Sequence, residues 1–559
     1  MIITNVSPSG FTFLVLSVLG LAASALGAGT QAWKGRSVYQ LMTDRFSHAD
    51  RSTSTPCNTT EGLYCGGTWR GIINNLDYIS GMGFDAIMIS PIIHNLEGRV
   101  SYGEAYHGYW ADDIYNLNAH FGSRQDLLDL KAALQSRDMF LMVDSVLNNM
   151  AWMTNGSNPG TSMDYSKLTP FNQQSYYHPY CPIHNYQNYT EAQLCWTGDN
   201  IVALPDLKQE DPYVASTLEA WAQKSISNFS IDGLRIDAAK HIYPDFLPHF
   251  YNATGSIFMT GEVLEQDPEV VCNYQRNYLP SLPNYPMYYA MLNAFTKGNT
   301  SGLAVNIKIM SELCPDPPAL TMFSENHDLQ RFPSMSPDLS LAMNVIAFTI
   351  LFDGVPMIYQ GQEQHLDGAF PPSNREALWL TNYNTNAPLY QLMAKLNKIR
   401  RQAGRVDPNY FNVFSYPIFT SKSEVAIRKG NEGRQTILVL STNGETGGQY
   451  SLVLPVTYRP GTVVTEIMTC VNYTINESGQ LNLLMDKGQP RVLFPANQMG
   501  DSGLCGVGDW SPAGVPSKNN SLYDNWSAGS STSLYSNRPS LWLLTAISSL
   551  IYSATLLVL

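Results

Sequence analysis

A closed (β/α)8 barrel is the fold this chain predicts, and two observations carry the prediction. Short apolar runs recur at residues 37–42, 84–90, 139–143, 231–236, 257–260, 320–323 and 355–359, each ending in polar residues. Runs without alternation fit parallel strands buried on both faces. Helical stretches sit between them, and repeated strand–helix units over about 370 residues favour a sheet that closes on itself.

The elements follow in chain order. Residues 11–28 are apolar and rich in small side chains, ending in Ala23-Ser24-Ala25 and Ala25-Leu26-Gly27, both suited to signal peptidase. The flanks are wrong for a first transmembrane helix, so residues 1–27 read as a signal peptide. Barrel units occupy 28–148. In the second of them Ser123-Arg124-Gln125-Asp126 can form a capping box, followed by Leu127, Leu130 and Leu134 at helical spacing. Residues 149–205 hold Gly, Asn, Pro, Tyr and the pair Cys181/Cys195, too long for an ordinary loop, and read as a small inserted domain. The barrel resumes over 206–405. There Asp211-Pro212 opens a helix with Val214, Leu218, Trp221, Ala222 and Ile226 on one face. Over 406–505 the pattern changes to alternating strands at 436–440, 450–454, 463–469 and 491–494, a terminal antiparallel β domain. Residues 506–530 are Ser/Asn/Gly/Pro-rich and read as a stalk. The chain then runs apolar from 541 to 559 with no charge after it. A polar spacer and the small-residue cluster Ser527, Ala528, Gly529, Ser530, Ser531 precede it. That order is the attachment signal of a glycosylphosphatidylinositol (GPI) lipid anchor, with 531–559 removed and Ser527, Gly529 and Ser530 as attachment candidates.

Composition narrows the function. Of 559 residues, 33 are Lys or Arg and 46 Asp or Glu, a net charge of −13. A nucleic-acid binder needs a basic face to displace counterions, so that class is excluded. Eight cysteines suit an exported protein, and none shows CxxC spacing, which argues against zinc. Pairing neighbours as Cys57/Cys65, Cys181/Cys195, Cys272/Cys314 and Cys470/Cys505 gives four short loops, but sequence does not fix the connectivity. Sequons at Asn58, Asn155, Asn188, Asn228, Asn252, Asn299, Asn472, Asn476, Asn519 and Asn525 predict N-glycans.

Chemistry in such a barrel is done at the C-terminal ends of the strands. Four acids fall there: Asp144, Asp237, Glu262 and Asp328. A single strand-end Asp is often only a helix cap. Four together, with Arg235 and His327 among them, form a crowded acidic cleft in which at least one member keeps its proton. A protonated acid beside an ionised one is what glycoside cleavage requires.

These residues carry a family likeness. The segments AYHGYWADDIY, VDSVLNN, LPDLK, GLRIDAAKH, GEVL and SENHD, with the cysteine spacing, resemble glycoside hydrolase family 13, the α-amylase family, and most of all its fungal members, over residues 32–500. The resemblance implies a (β/α)8 TIM barrel, a domain inserted after strand 3 and a C-terminal antiparallel β-sandwich. It implies Asp237 as nucleophile, Glu262 as acid/base and Asp328 as a third carboxylate that stabilises the transition state. Arg235 would hold Asp237 ionised. His107 and His327 would hydrogen-bond the sugar, Tyr109 would stack on it, and Trp110 and Arg375 would line the site. Lys240 and His241 would meet the leaving side. It also implies a structural Ca2+ held by the Asn148 side chain, the Asp206 carboxylate and the carbonyls of Gln193 and His241, all oxygen donors of the kind a hard cation takes.

Two positions depart from the family. Its first motif normally ends Asn-His, with that His against the sugar bound at the catalytic subsite; this chain has Asn148-Asn149, so Asn149 is expected at that sugar. Pro371 stands four residues before Arg375, where fungal amylases carry Asp. A similar Asn replacement with an anchored C-terminus occurs in fungal wall relatives that act as α-glucanotransferases. The expectation is therefore a monomeric, retaining, endo-acting 4-α-glucanotransferase on α-1,4-glucan or maltooligosaccharides, with some hydrolysis. It would sit at the outer face of the plasma membrane or in the cell wall. The alternatives are a plain starch-hydrolysing α-amylase and a non-catalytic glucan-binding wall protein.

Overall fold

The structure, a computed structural model, describes residues 27–508. The expected anchor sites Ser527, Gly529 and Ser530, the sequons Asn519 and Asn525, and almost all of the signal peptide, stalk and C-terminal apolar tail lie outside the described residues.

Seven parallel strands form one sheet. They are β1 (Val38–Gln40), β2 (Ala86–Ile89), β3 (Phe140–Ser145), β4 (Gly233–Ile236), β5 (Phe258–Gly261), β6 (Thr321–Phe323) and β7 (Val355–Tyr359), in the order β5-β4-β3-β2-β1-β7-β6. Each coincides with a predicted apolar run to within two residues or so at its ends. The eighth position is filled by a short extended segment rather than a regular strand. Thr260 bridges Ser281 and Pro283 bridges Thr321, both in parallel, so this segment joins β5 to β6 and closes the ring. Pro280 and Pro283 flank the contact and cannot donate to a ladder, which explains why no longer strand forms.

Helices cover the outside. The predicted capping box is present: Ser123 Oγ accepts from the Asp126 N–H and Asp126 accepts from the Ser123 N–H, opening Arg124–Gln135. Leu127, Leu130 and Leu134 are its buried face. Asp211 caps Pro212–Phe229, which buries the five predicted residues. Trp33, from the short helix Thr30–Lys34, plugs the N-terminal end of the barrel. It stacks on Phe258 at 5.1 Å, meets Phe140 edge-on at 5.3 Å, and donates its indole N–H to Asp232 O.

The segment between β3 and β4 carries a small antiparallel sheet of Trp152–Met153, Val202–Leu204 and Thr197–Gly198, with the helix Tyr189–Leu194. The C-terminal part has a six-stranded antiparallel sheet and a two-stranded ribbon, Tyr450–Pro455 with Gln480–Met485. The large sheet alternates. Val425, Ile427, Leu438, Leu440, Val492 and Phe494 join the barrel core, whereas Ala426, Ile437, Val439 and Leu493 pack under the ribbon against Leu454, Leu481 and Leu483. The strands Glu424–Lys429, Thr436–Ser441 and Arg491–Pro495 are therefore buried on both faces, so nearly continuous apolar runs stand where alternation was expected over 436–440 and 491–494. All eight cysteines are paired as neighbours: Cys57–Cys65, Cys181–Cys195, Cys272–Cys314 and Cys470–Cys505.

Candidate active site

Parallel strands that end together bring their following residues to one rim, and the four acids meet there, three of them around one cation. Arg235 Nη1 donates to Asp144 Oδ1 and Oδ2 at 2.9 and 2.8 Å and to Asp237 Oδ1 at 2.6 Å. Its Nη2 lies 2.8 Å from Glu262 Oε2. Only a guanidinium offers donors in a planar fork that can hold three carboxylates at once. Asp328 is reached from the other side by Arg375 Nη2 at 3.2 Å and by His327 Nε2 at 3.1 Å.

Exposure separates the four. The Asp144 side chain is 1 % exposed, against 17 % for Asp237, 15 % for Glu262 and 30 % for Asp328. Asp144 thus lies beneath Arg235 and positions it, while the other three face the cleft. This division was not readable from sequence, which placed all four at strand ends.

The histidines belong to one hydrogen-bonded chain. The Gln40 amide meets His327 Nδ1 at 2.9 Å, which leaves the His327 proton on Nε2. Nε2 is 2.8 Å from the Tyr109 hydroxyl, which in turn donates to Asp144 Oδ2 at 2.7 Å. Tyr109 and His327 rings stack at 5.4 Å. His107 Nδ1 accepts from the Tyr109 N–H at 3.0 Å, so its Nε2 carries the proton. Burial, helped by the neighbouring Arg375 and, for His327, Arg235, pushes both histidines well below their ordinary pKa. They stay neutral and serve as donors. Trp110 packs edge-on against His107 at 4.8 Å. Gln40, at the end of β1, and Tyr285, whose hydroxyl donates to Glu262 Oε1 at 3.4 Å, also belong to the site. Neither was anticipated; a polar residue ending a buried run was the only signal for Gln40.

Charge is out of balance here. Four carboxyls face the two guanidiniums of Arg235 and Arg375. Burial raises Asp144 to about 6 against the pull of Arg235. Burial, Glu262, Asp144 and Asp328 push Asp237 up, and Arg235 opposes them. Burial works to discharge Arg235, but Asp144 and Glu262 more than offset it and keep it a cation. The cluster therefore favours holding a proton, the condition for general acid chemistry.

The remaining expected site residues fall elsewhere on the rim. Lys240 Nζ pairs with Glu265 Oε2 at 3.4 Å and lies over the Tyr189 ring. His241 Nδ1 sits 2.8 Å from Ala192 O, so the β4 loop grips the helix Tyr189–Leu194 that contains Gln193. Asn149 is buried, and its amide donates to Met150 O at 3.0 Å. No hydrogen bond joins it to the four acids. One N–H of that amide is thus given to backbone.

Asn148 and Asp206 test the expected cation. Both are fully buried, and Asn148 Oδ1 and Nδ2 and Asp206 Oδ1 have no hydrogen-bond partner. The two segments are adjacent: Leu207 N–H donates to Asn148 O at 2.8 Å, and Asn149 bridges Asp206. Burial raises Asp206 to about 7, opposed by His178, whose Nδ1 lies 2.6 Å from Asp206 Oδ2. Unpaired buried oxygens cost about 1–3 kcal/mol each, and a hard cation with oxygen preference removes that cost. Among the described residues no group of three or more His, Cys, Asp or Glu is placed to hold a metal. This donor set is a different kind, with one carboxylate, one amide and backbone carbonyls.

Comparison with known proteins agrees with this geometry. Residues 40–402 match the catalytic domain of α-amylase, and residues 417–511 match α-amylase domain C. Over 507 residues the chain is 43 % identical to α-amylase 2 of Schwanniomyces occidentalis, covering 88 % of this chain and 99 % of that one. It is 36 % identical over 501 residues to an α-amylase of Schizosaccharomyces pombe, covering 89 % and 94 %. The solved α-amylase of Malbranchea cinnamomea superposes with a TM-score of 0.82 at 43 % identity, covering 86 % of this chain and all of that one.

Proposed function

The chain belongs to the α-amylase family, glycoside hydrolase family 13, and from that premise we propose that it cleaves and re-joins α-1,4-glucosidic bonds by a retaining, endo-acting mechanism. The observation that carries the reading is Arg235 holding Asp237 and Glu262 on one guanidinium. Sharing one small cation keeps the two carboxyls close, as covalent catalysis at about 5–5.5 Å requires. Asp237, ionised by Arg235, attacks the anomeric carbon while Glu262 gives its proton to the departing oxygen. The resulting glucosyl–Asp237 ester is opened by water or by a sugar hydroxyl, with Glu262 now taking the proton. Asp328 and the neutral donors His107 and His327 bind the ring hydroxyls, and Asp144 keeps Arg235 aimed.

Transfer as well as hydrolysis is supported by Asn149. Its amide is shorter than the family's imidazole and gives one N–H to Met150 O, which weakens the contact this position makes to the reacting glucose. Losing such a contact costs about 1–3 kcal/mol. An acceptor sugar brings its own binding energy from neighbouring subsites and water brings none, so the loss burdens hydrolysis more. Incubation with defined maltooligosaccharides should give products longer than the starting chain, with slow release of reducing ends. Asn149→His should shift the ratio toward hydrolysis. An unchanged ratio in Asn149→His would remove Asn149 as the cause, and only shorter products at high substrate concentration would refute transfer. The second reading, a purely hydrolytic α-amylase, is equally supported by the relatives named α-amylase and would then stand. The sequence signals at both ends support an enzyme held at the cell surface or wall by a lipid anchor.

Ca2+ is proposed as a structural ion. Asn148 Oδ1, the Asp206 carboxylate and the carbonyls of Gln193 and His241 would hold it, tying barrel to inserted segment. An ion that binds only the folded state raises stability by mass action, about 2.7 kcal/mol at a hundred times its dissociation constant. Chelation should therefore lower the melting temperature by roughly 3 °C, with recovery on adding Ca2+. Asp206→Ala should melt lower and no longer respond to chelator. A melting curve indifferent to prolonged chelation and to Asp206→Ala would rule the site out.

A further inference from the structure

The sheet order places β7 four positions from β4, through β3, β2 and β1, which in a ring of eight is the opposite side. The loop after β4 carries Asp237 and Lys240. The loop after β7 carries Asn374, Arg375 and Glu376, and it is pinned at both ends. Arg331 N–H donates to Gly368 O at 3.1 Å, Gly368 N–H donates to Glu376 Oε1 at 2.8 Å, and Glu376 Oε2 pairs with Arg331 Nε at 2.8 Å. Asn374 donates to His327 O and Leu329 O, and Arg375 reaches Asp328.

Between these anchors the chain makes a tight turn. Ser373 N–H donates to Phe370 O at 2.7 Å, and Pro371 and Pro372 hold their φ angles near one value. Phe370 stands in this turn and is 60 % exposed, and no large apolar side chain among the described residues is more so. A phenyl ring left in water on a braced loop forgoes the free energy of burial. Its loop is fastened through Arg375 to Asp328, the third carboxylate of the cleft.

We propose that Phe370 is a stacking platform for a glucose unit of the α-glucan, a subsite at the end of the cleft beyond Asp328. This rests on the reading of the chain as an α-glucan enzyme. A pyranose ring presents a face of C–H bonds, which meets the negative face of an aromatic ring favourably and displaces water from both. Phenylalanine has no hydroxyl, so this subsite selects by the flat face of the sugar rather than by hydrogen bonds. A chain running across the barrel mouth, from the β4 loop over the carboxylates to the β7 loop, reaches it only if long enough. The subsite therefore adds affinity for long chains over short ones and fixes where along a chain the cut falls.

The test uses the full protein with end-labelled maltotriose and maltoheptaose. Phe370→Ala and Phe370→Leu should lower the ratio of kcat/KM for the heptaose to that for the triose by about fivefold, and should move the cut along the heptaose. Phe370→Trp should restore both. An unchanged ratio and cleavage pattern in Phe370→Ala would overturn the subsite. An equal loss on both substrates, unrescued by Trp, would also overturn it and leave the ring as a loop support. A wild-type protein inactive on both sugars would instead overturn the α-glucan reading on which the proposal stands.

Discussion

Asp237→Asn and Glu262→Gln should each lower kcat on maltooligosaccharides by at least about a thousandfold while the protein remains folded. The two amides are nearly isosteric with the acids they replace, and each can still accept from Arg235 through its carbonyl. What disappears is chemistry. Asparagine at 237 cannot form the glucosyl ester, and glutamine at 262 has no acidic proton for the leaving oxygen. Neither loss can be made good nearby. Asp144 is sealed under Arg235, and Asp328 is held by Arg375 and His327. Steady-state rates with melting curves on the same samples check this. Activity within a few-fold of wild type for either variant would remove that residue from its role.

The same residues show what sequence could and could not reveal. Parallel strands buried on both faces leave bare apolar runs, and all seven regular barrel strands were legible for that reason. The closing segment around Ser281 was not, because two prolines and two bridges leave no run to see. In the C-terminal part the strands Tyr416–Thr420, Glu424–Lys429, Val471–Thr474 and Gln480–Met485 escaped. The first and third are sheet edges with little buried, the second mixes charge into a buried strand, and the fourth alternates on a ribbon half open to water. In the site, strand-end acids are visible as a class, so Asp237, Glu262 and Asp328 could be named. That Asp144 supports rather than reacts depends on depth, which a one-dimensional pattern does not carry. Gln40 and Tyr285 join through single contacts from distant elements. That the Asn149 amide gives an N–H to the next carbonyl was not legible either, because it is a choice made by the local backbone.

Arg235 is where these strands of argument meet, and its replacement should have the second large effect. Arg235→Gln keeps some hydrogen-bonding capacity but removes the charge that faces Asp144, Asp237 and Glu262. Burial and like charges already push Asp237 upward, and Arg235 is the group pulling it down. Without the guanidinium the folded-state pKa of Asp237 rises further, so the ionised nucleophile exists only at higher pH. The acidic limb of the kcat/KM profile should therefore move to higher pH, and the rate at neutral pH should fall by roughly a hundredfold or more, since removing even one preorganised neutral donor from an active site costs about 2.7–4 kcal/mol. Arg235→Lys sharpens the test. It keeps a positive charge, but one ammonium cannot donate in the planar fork that reaches all three acids. If charge alone matters, Lys restores the acidic limb and the rate together. If the fork matters, Lys restores the limb but not the rate, because Asp237 is ionised yet no longer held in line beside Glu262. The geometry predicts the second outcome. An Arg235→Gln profile superimposable on that of wild type would show that the cluster sets its proton inventory without Arg235.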